Sequence, residues 1–278
     1  MLKSVAVIGL GSIGSKVAES LVRSGVRRLL LVDGDIFLPG NLERHVLDWR
    51  DVGYEKVHAL KRRFLEIAPN AEIEVIVDNL NWQRSARVHA DHVNNIADCD
   101  VLVGATGDTA VNLFLGAIAA ENRTPFVSAE VYEGGLGAVV ARSLPERDPP
   151  YAFSRQCYLA YCEQQNVQPP RPGEKQYESI LDDGTPVVAD DASVSAAAAH
   201  CARVVIDVLD HKVAPEDPAW LLFGFRKGWL FQQHGHNIML DVGPPTVPPE
   251  MEDAQHAEIR AFALNLADQA VNASKNSS

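Results

Sequence analysis

Cysteine is scarce in this sequence: four in 278 residues, at positions 99, 157, 162 and 201. They form no disulfide framework in a chain of this size. A four-thiolate zinc site needs two close pairs, and only Cys157 and Cys162 are close, at a wider spacing than the C-x-x-C of zinc knuckles. The histidine pairs His89/His92 and His234/His236 have no evident third ligand and read as solvated. Long apolar runs are missing too. Crossing a bilayer takes about 20 apolar residues, and the best stretch, Ala192 to Val205, is interrupted by His200 and Arg203. No membrane association is expected. Basic residues are in deficit, 25 against 37 acidic, for a formal charge of −12. That balance disfavours nucleic acid as the main partner, because affinity for it comes from Lys and Arg on phosphates. Met1-Leu2-Lys3-Ser4 runs directly into a strand without a charged leader and cleavage site, so a cytoplasmic protein is the expectation.

What is present is an alternation. Val5-Ala6-Val7-Ile8 reads as a buried strand entering Gly9-Leu10-Gly11-Ser12-Ile13-Gly14, and Ser15 to Arg23 has helical periodicity stopped at Gly25. Strands follow at Arg28 to Val32, Glu72 to Val77, Val101 to Val103 and from Phe126. Helices are expected at Tyr54 to Ile67, with a basic outer face, at Gln83 to Ala97, and at Thr109 to Glu121. Such alternation predicts an α/β fold: a doubly wound, mostly parallel, Rossmann-like sheet with helices on both faces. Val139 to Ala141 reads as a further strand. The pattern then breaks. Pro145 to Pro186 carries seven prolines and little periodicity, which predicts a long crossover loop or lid. Asp190 to Leu209 resumes as a capped helix. Strand-like pieces follow at Trp220 to Phe223, Trp229 to Phe231 and Ile238 to Leu240. Ala254 to Val271 reads as a terminal helix and Asn272 to Ser278 as a tail. The organisation is therefore a nucleotide-binding core over 1–142, the crossover over 143–187, the rest of the same domain over 188–247, and a terminal helix and tail over 248–278.

A strand, G-x-G-x-x-G and a helix place backbone N–H groups and the positive helix end against phosphates. The motif alone does not separate a dehydrogenase from other nucleotide enzymes, and Asp33 at the tip of the second strand suits a ribose hydroxyl in any of them. The residues that follow are more selective. Asp35, Asn41, Arg44 and Lys56 all fall within Val32 to Lys56. Arg44 and Lys56 can neutralise a triphosphate, one as a bidentate fork and the other as a point charge. Asp108, in Gly104-Ala-Thr-Gly-Asp108, falls at the carboxyl end of the fourth strand, where a carboxylate would hold Mg²⁺ on phosphate oxygens.

These strings, from G-L-G-S-I-G through D-G-D, N-L-E-R, V-G-Y-E-K and I-A-P-N to G-A-T-G-D, resemble the ThiF/MoeB family of ubiquitin-activating-enzyme-like adenylyltransferases, in the same order and at similar spacing. The resemblance covers residues 1 to about 142 and resumes from Gly184 to Leu209. It implies ATP- and Mg²⁺-dependent adenylation of the C-terminal glycine carboxylate of a ubiquitin-like or sulfur-carrier β-grasp protein, by a homodimer. Gly9, Gly11 and Gly14 would line the nucleotide pocket and Asp33 would bind the ribose. Asn41, Arg44 and Lys56 would hold phosphates, with Asp108 on the metal. The nucleophile is already ionised, so no catalytic His or Ser is required. Many members then capture the acyl group on a crossover-loop cysteine, a role that would fall to Cys157 or Cys162, with Arg155 beside them.

Three differences accompany the resemblance. The family's N-terminal arm, which gives an arginine to the partner subunit, has no counterpart before the first strand. The paired C-x-x-C motifs are missing, so a bacterial ubiquitin-like conjugation system or a tRNA-modifying relative fits as well as thiamine or molybdopterin synthesis. Asn112 stands where many relatives have a basic residue. The alternatives are an NAD-dependent oxidoreductase on the same glycine turn, which has no use for Arg44, Lys56 or Asp108, and an inactive, partner-binding half of an activating heterodimer.

Overall fold

The computed structural model describes residues 3–80, 86–169, 178–180 and 186–245. The first strand, β1 (Ser4–Ile8), leads into α1 (Ser12–Arg23), followed by β2 (Arg28–Val32), α2 (Lys56–Ile67), β3 (Glu72–Ile76), α3 (Ala86–Ala97), β4 (Val101–Gly104), α4 (Thr109–Asn122) and β5 (Phe126–Tyr132). Then come β6 (Gly137–Ser143), α5 (Tyr151–Gln164), β7 (Glu178–Ile180), β8 (Pro186–Val188), α6 (Asp191–Leu209), β9 (Trp220–Gly224) and β10 (Asn237–Leu240).

Eight strands form one sheet in the order β10-β9-β6-β5-β4-β1-β2-β3, and β7 and β8 pair apart from it. From β3 to β5 the pairings are parallel, and from β5 outward through β6, β9 and β10 they are antiparallel. The parallel half arises because its strands are apolar on both faces. Val5 and Val7 point to one face with α1, α2 and α6, whereas Ala6 and Ile8 point to the other with α4 and α5. Burying a Leu or Phe side chain contributes about 1.5–3 kcal/mol, and Leu31, Leu60, Phe64, Leu102, Leu115 and Phe126 are all fully buried.

At 19 residues, α6 is long and apolar enough by composition to cross a membrane. Its Val194, Ala197, Ala198, Cys201, Ala202 and Val205 are instead packed in the core beside α1 and β5. Asp190 caps it by accepting the Ser193 N–H at 2.7 Å.

Two expectations are corrected. The crossover is not all loop, since α5 occupies Tyr151–Gln164. Its prolines bracket a proline-free stretch, with Pro150 as N-cap, and Tyr151, Ser154, Tyr158 and Cys162 form its buried stripe. The Trp229 to Phe231 piece is a turn closed by the Gly228–Phe231 bridge, with φ of 144° at Gly228 and 51° at Trp229. Its Leu230 and Phe231 are buried as a plug against the sheet rather than as a strand. The terminal helix and tail expected from Ala254 onward lie outside the described residues.

Candidate functional site

β1 lies between β2 and β4, where the strand order reverses, so the helices after β1 and β4 leave on opposite faces and a cleft opens at the carboxyl ends. The cleft holds about 530 Å³, within the usual range for small-molecule sites, and Gly9, Gly11, Asp33, Asp35, Asn41, Arg44, Lys56 and Asp108 all line it. Residues separated by up to 99 positions in sequence are thus brought to one space. Gly14 sits behind the turn.

The glycines do different work. Gly9 has φ of +82°, and a Cβ there would come within 2.6 Å of the Thr106 backbone. A Cβ on Gly14 would overlap the Gly9 carbonyl oxygen. Gly11, the N-cap of α1, has no neighbour within 4 Å of a built Cβ and no side-chain cap over the helix start. Two glycines therefore fold the turn tightly, and the third leaves its cleft side open to a ligand's close approach.

Asp33, at the tip of β2, is almost fully buried. Its Oδ2 accepts the Leu10 N–H at 2.6 Å and its Oδ1 the Asp35 N–H at 2.8 Å. Burial pushes its carboxyl up, against the pull of Lys56. Lys56, with its side chain 7% exposed, donates to Asp35 Oδ2 at 2.8 Å and lies 3.8 Å from Asp33. Burial also works against ionisation of Asp35, but the Lys56 hydrogen bond and charge, helped by Asn79, outweigh it and hold that carboxyl below the usual range. Asp35, expected as a nucleotide contact, acts in this geometry as the anchor of Lys56.

Asn41 closes a short 3₁₀ turn at Pro39–Asn41, its Oδ1 accepting the Leu38 N–H at 3.0 Å. Arg44, on the segment that follows, faces the cleft with its side chain 21% exposed. Asp108 caps α4, with Oδ1 taking the Ala110 N–H at 2.8 Å and the Val111 N–H at 3.4 Å. Among the described residues no group of three or more His, Cys, Asp or Glu side chains could hold a metal unaided. A lone carboxylate fits Mg²⁺, which is commonly held by one or two carboxylates with substrate phosphates and water completing the shell.

Neither Cys157 nor Cys162 lines the cleft. Both stand on α5 instead of a loop, and burial pushes both thiols up. Cys162 is fully buried, and the Cys157 sulfur lies 3.8 Å from the Val242 carbonyl oxygen. The expected activation by Arg155 is not supported: the charge of Arg155 acts on Glu130 of β5. Asn112 is fully buried and donates to Glu130 Oε1 at 3.0 Å, so it is a packing residue of α4. Of the histidines read as solvated, His92 pairs with the buried Asp78 at 3.1 Å.

Sequence reasoning missed His45, Asp78 and Asn79, which also line the cleft. His45 directly follows the N-L-E-R string, and Asp78-Asn79 lies just beyond the third strand as Asp33 lies just beyond the second. Both positions were signals that strand-tip and motif-flanking reasoning could have used.

The family model described as "ThiF family" matches residues 2–218. The ATP-dependent ubiquitin transferase-like protein Cap2 of Enterobacter hormaechei is 33% identical over 126 residues, covering 45% of this chain and 20% of that protein. The tRNA threonylcarbamoyladenosine dehydratase 2 of Saccharomyces cerevisiae is 42% identical over 87 residues, 30% of this chain and 19% of that protein. The match thus spans about a fifth of the length of these curated relatives. Among solved structures, E. coli MccB with ATP aligns at a TM-score of 0.63 and 19% identity, over 89% of this chain and 66% of that one, a likeness of fold.

Proposed function

The chain belongs to the ThiF family, and from that premise we propose that it adenylates a carboxylate with ATP, the carboxylate being the C-terminus of a ubiquitin-like or sulfur-carrier β-grasp protein. The observation that carries the reading is the convergence of the glycine turn, Asn41, Arg44, Lys56 and Asp108 on one cleft. A nicotinamide enzyme on the same turn would need the ribose carboxylate and little else.

In the proposed reaction a substrate carboxylate oxygen attacks the α-phosphorus of ATP. The bond from that phosphorus to the bridging oxygen breaks, and pyrophosphate leaves with the electron pair. Asp33 would take the ribose hydroxyls, and the open backbone at Gly11 would let the phosphates approach. Arg44 and Lys56 would balance the charge that builds on the leaving pyrophosphate, where fixed, partly desolvated cations act more strongly than in water. Lys56 would have to share itself between Asp35 and the phosphates. Magnesium, held by Asp108 with the phosphates, would supply further charge neutralisation.

Activity as a homodimer belongs to the same proposal and rests on the family resemblance alone, whereas an acceptor of protein or tRNA type is supported by the names of the relatives. Capture of the acyl group by Cys157 is its finest form and has the least support, because the thiol is partly buried and faces a carbonyl. Intact-mass analysis for a reducible adduct, lost in Cys157→Ala, decides that point. The main test is exchange of labelled pyrophosphate into ATP with candidate β-grasp proteins added. Exchange with one of them supports the reading; none with any, together with tight NAD binding, sinks it.

A further inference from the structure

Leu10 lies between Gly9 and Gly11 of the phosphate turn and is fully buried. Its peptide groups are held from two directions. The N–H goes to Asp33 Oδ2 at 2.6 Å, and the carbonyl oxygen is 2.8 Å from His45 Nε2. The other ring nitrogen of His45, Nδ1, accepts the Leu47 N–H at 3.1 Å. An N–H at that nitrogen is ruled out by its role as acceptor, so the proton sits on Nε2 and is donated to Leu10. The ring packs on Phe37 with centroids 4.9 Å apart, and His45 itself is 8% exposed. Burial pushes the imidazole down to about 4, with Lys56 and Lys16 adding to the effect, so the neutral tautomer persists throughout the neutral range.

His45 therefore links two parts of the cleft through a hydrogen bond from its side chain to the main chain. On one side is the turn that presents backbone N–H groups to phosphates. On the other is the segment from Phe37 to Leu47, which carries Asn41 and Arg44. We infer that His45 is a positioning residue for nucleotide binding, setting the glycine turn against the Asn41–Arg44 segment through its bond to the Leu10 carbonyl; the inference rests on the ATP-dependent reading above. Without that bond a buried carbonyl loses its partner, and the turn can relax away from the geometry that a triphosphate needs.

The two ring nitrogens can be separated by substitution. The Gln amide nitrogen lies as many bonds from Cα as imidazole Nε2, so His45→Gln can keep the donor to Leu10. The Asn oxygen matches Nδ1, so His45→Asn keeps only the bond from Leu47, and His45→Phe keeps only the ring on Phe37. Calorimetric titration of MgATP into the full chain, with thermal melts alongside, reads the outcome. The expected result is an affinity for His45→Gln within about threefold of the wild type, and a loss of about tenfold or more in the Asn and Phe variants, the usual scale for one lost hydrogen bond at a buried group. Wild-type affinity in the Asn or Phe variant overturns the inference, as does a Gln variant as weak as Phe or failure of all three to fold. If only the Phe variant fails to fold, the Asn and Gln pair decides. Absence of MgATP binding by the wild type would instead overturn the nucleotide reading, and the inference with it.

Discussion

Lys56→Met tests the electrostatics of the cleft most directly. The lysine side chain is 7% exposed and sits between Asp35 at 2.8 Å and Asp33 at 3.8 Å, the two carboxylates being 55% and 6% exposed in their side chains. Removing one partner of a buried ion pair costs about 3–5 kcal/mol because the other charge is stranded. Asp35 is half in water, so its share shrinks toward the value of less than about 1 kcal/mol typical of exposed pairs. Asp33 has no such relief. Together these place the loss at about 2–3 kcal/mol, and a chain of this size loses about 2–4 °C of melting temperature per kcal/mol, so a drop of about 5–10 °C is expected at pH 7.5. The sign with pH follows from the carboxylates. Lys56 now holds the Asp35 pKa below the usual range and opposes the upward push of burial on Asp33. Without it both folded-state values rise above the unfolded value of about 3.9. The penalty is then smallest at the acid end of the range, where protonation of the carboxylates sets in, and grows as pH rises through the raised folded-state values of the variant. Paired melts of wild type and variant from pH 4 to pH 8 measure it. MgATP affinity should fall by about 10- to 150-fold, the worth of a charged hydrogen bond of about 1.5–3 kcal/mol. A difference in melting temperature that is flat across pH, or an unchanged affinity for MgATP, would refute the reasoning.

Gly14→Ala should be far more damaging than Gly11→Ala, since the new methyl meets the Gly9 carbonyl oxygen in one case and open space in the other. Thermal melts should show a loss of several degrees for the first and little for the second, whereas MgATP titration should show both weakened; equal melts would contradict the packing described for the turn. Glu130→Gln keeps the acceptor for Asn112 Nδ2 and removes a charge that burial disfavours. Because the Glu130 pKa is raised in the folded state, its stabilising contribution is complete below the unfolded value of about 4.3 and is lost as pH rises through the folded value. The Gln variant should therefore melt above the wild type at pH 8 and level with it at pH 4, and a constant offset across that range would show that ionisation of Glu130 is not the cause.

The candidate site was legible where chemistry is local. The glycine turn reports its own backbone demands, and Asp33 and Asp108 each follow a strand whose apolar run is visible in the sequence, so their place at the carboxyl edge follows. Lys56 and Asp35 were legible as members of the cleft but not as partners of each other, because a salt bridge depends on which of several nearby charges lies within reach. The role of His45, though not its place beside the N-L-E-R string, was hidden for a related reason: it is a hydrogen bond to a main-chain carbonyl 35 residues earlier, and backbone acceptors leave no trace in side-chain patterns. Helix α5 was hidden by its surroundings. Seven prolines between Pro145 and Pro186 outweighed the buried stripe of Tyr151, Ser154, Tyr158 and Cys162, and once the segment is a helix its cysteines are held against the core.

By itself the sequence determined the alternation of strands and helices, the parallel half of the sheet and the identity of most cleft residues. Each of these is set by short-range periodicity or by motif chemistry within a few residues. Tertiary structure decided the antiparallel extension through β6, β9 and β10, the sharing of Lys56 between two carboxylates, the burial of the thiols and the clasp of His45 on Leu10. All four depend on distances between segments far apart in the chain, which the packing of helices on the two faces of the sheet sets and no local pattern encodes.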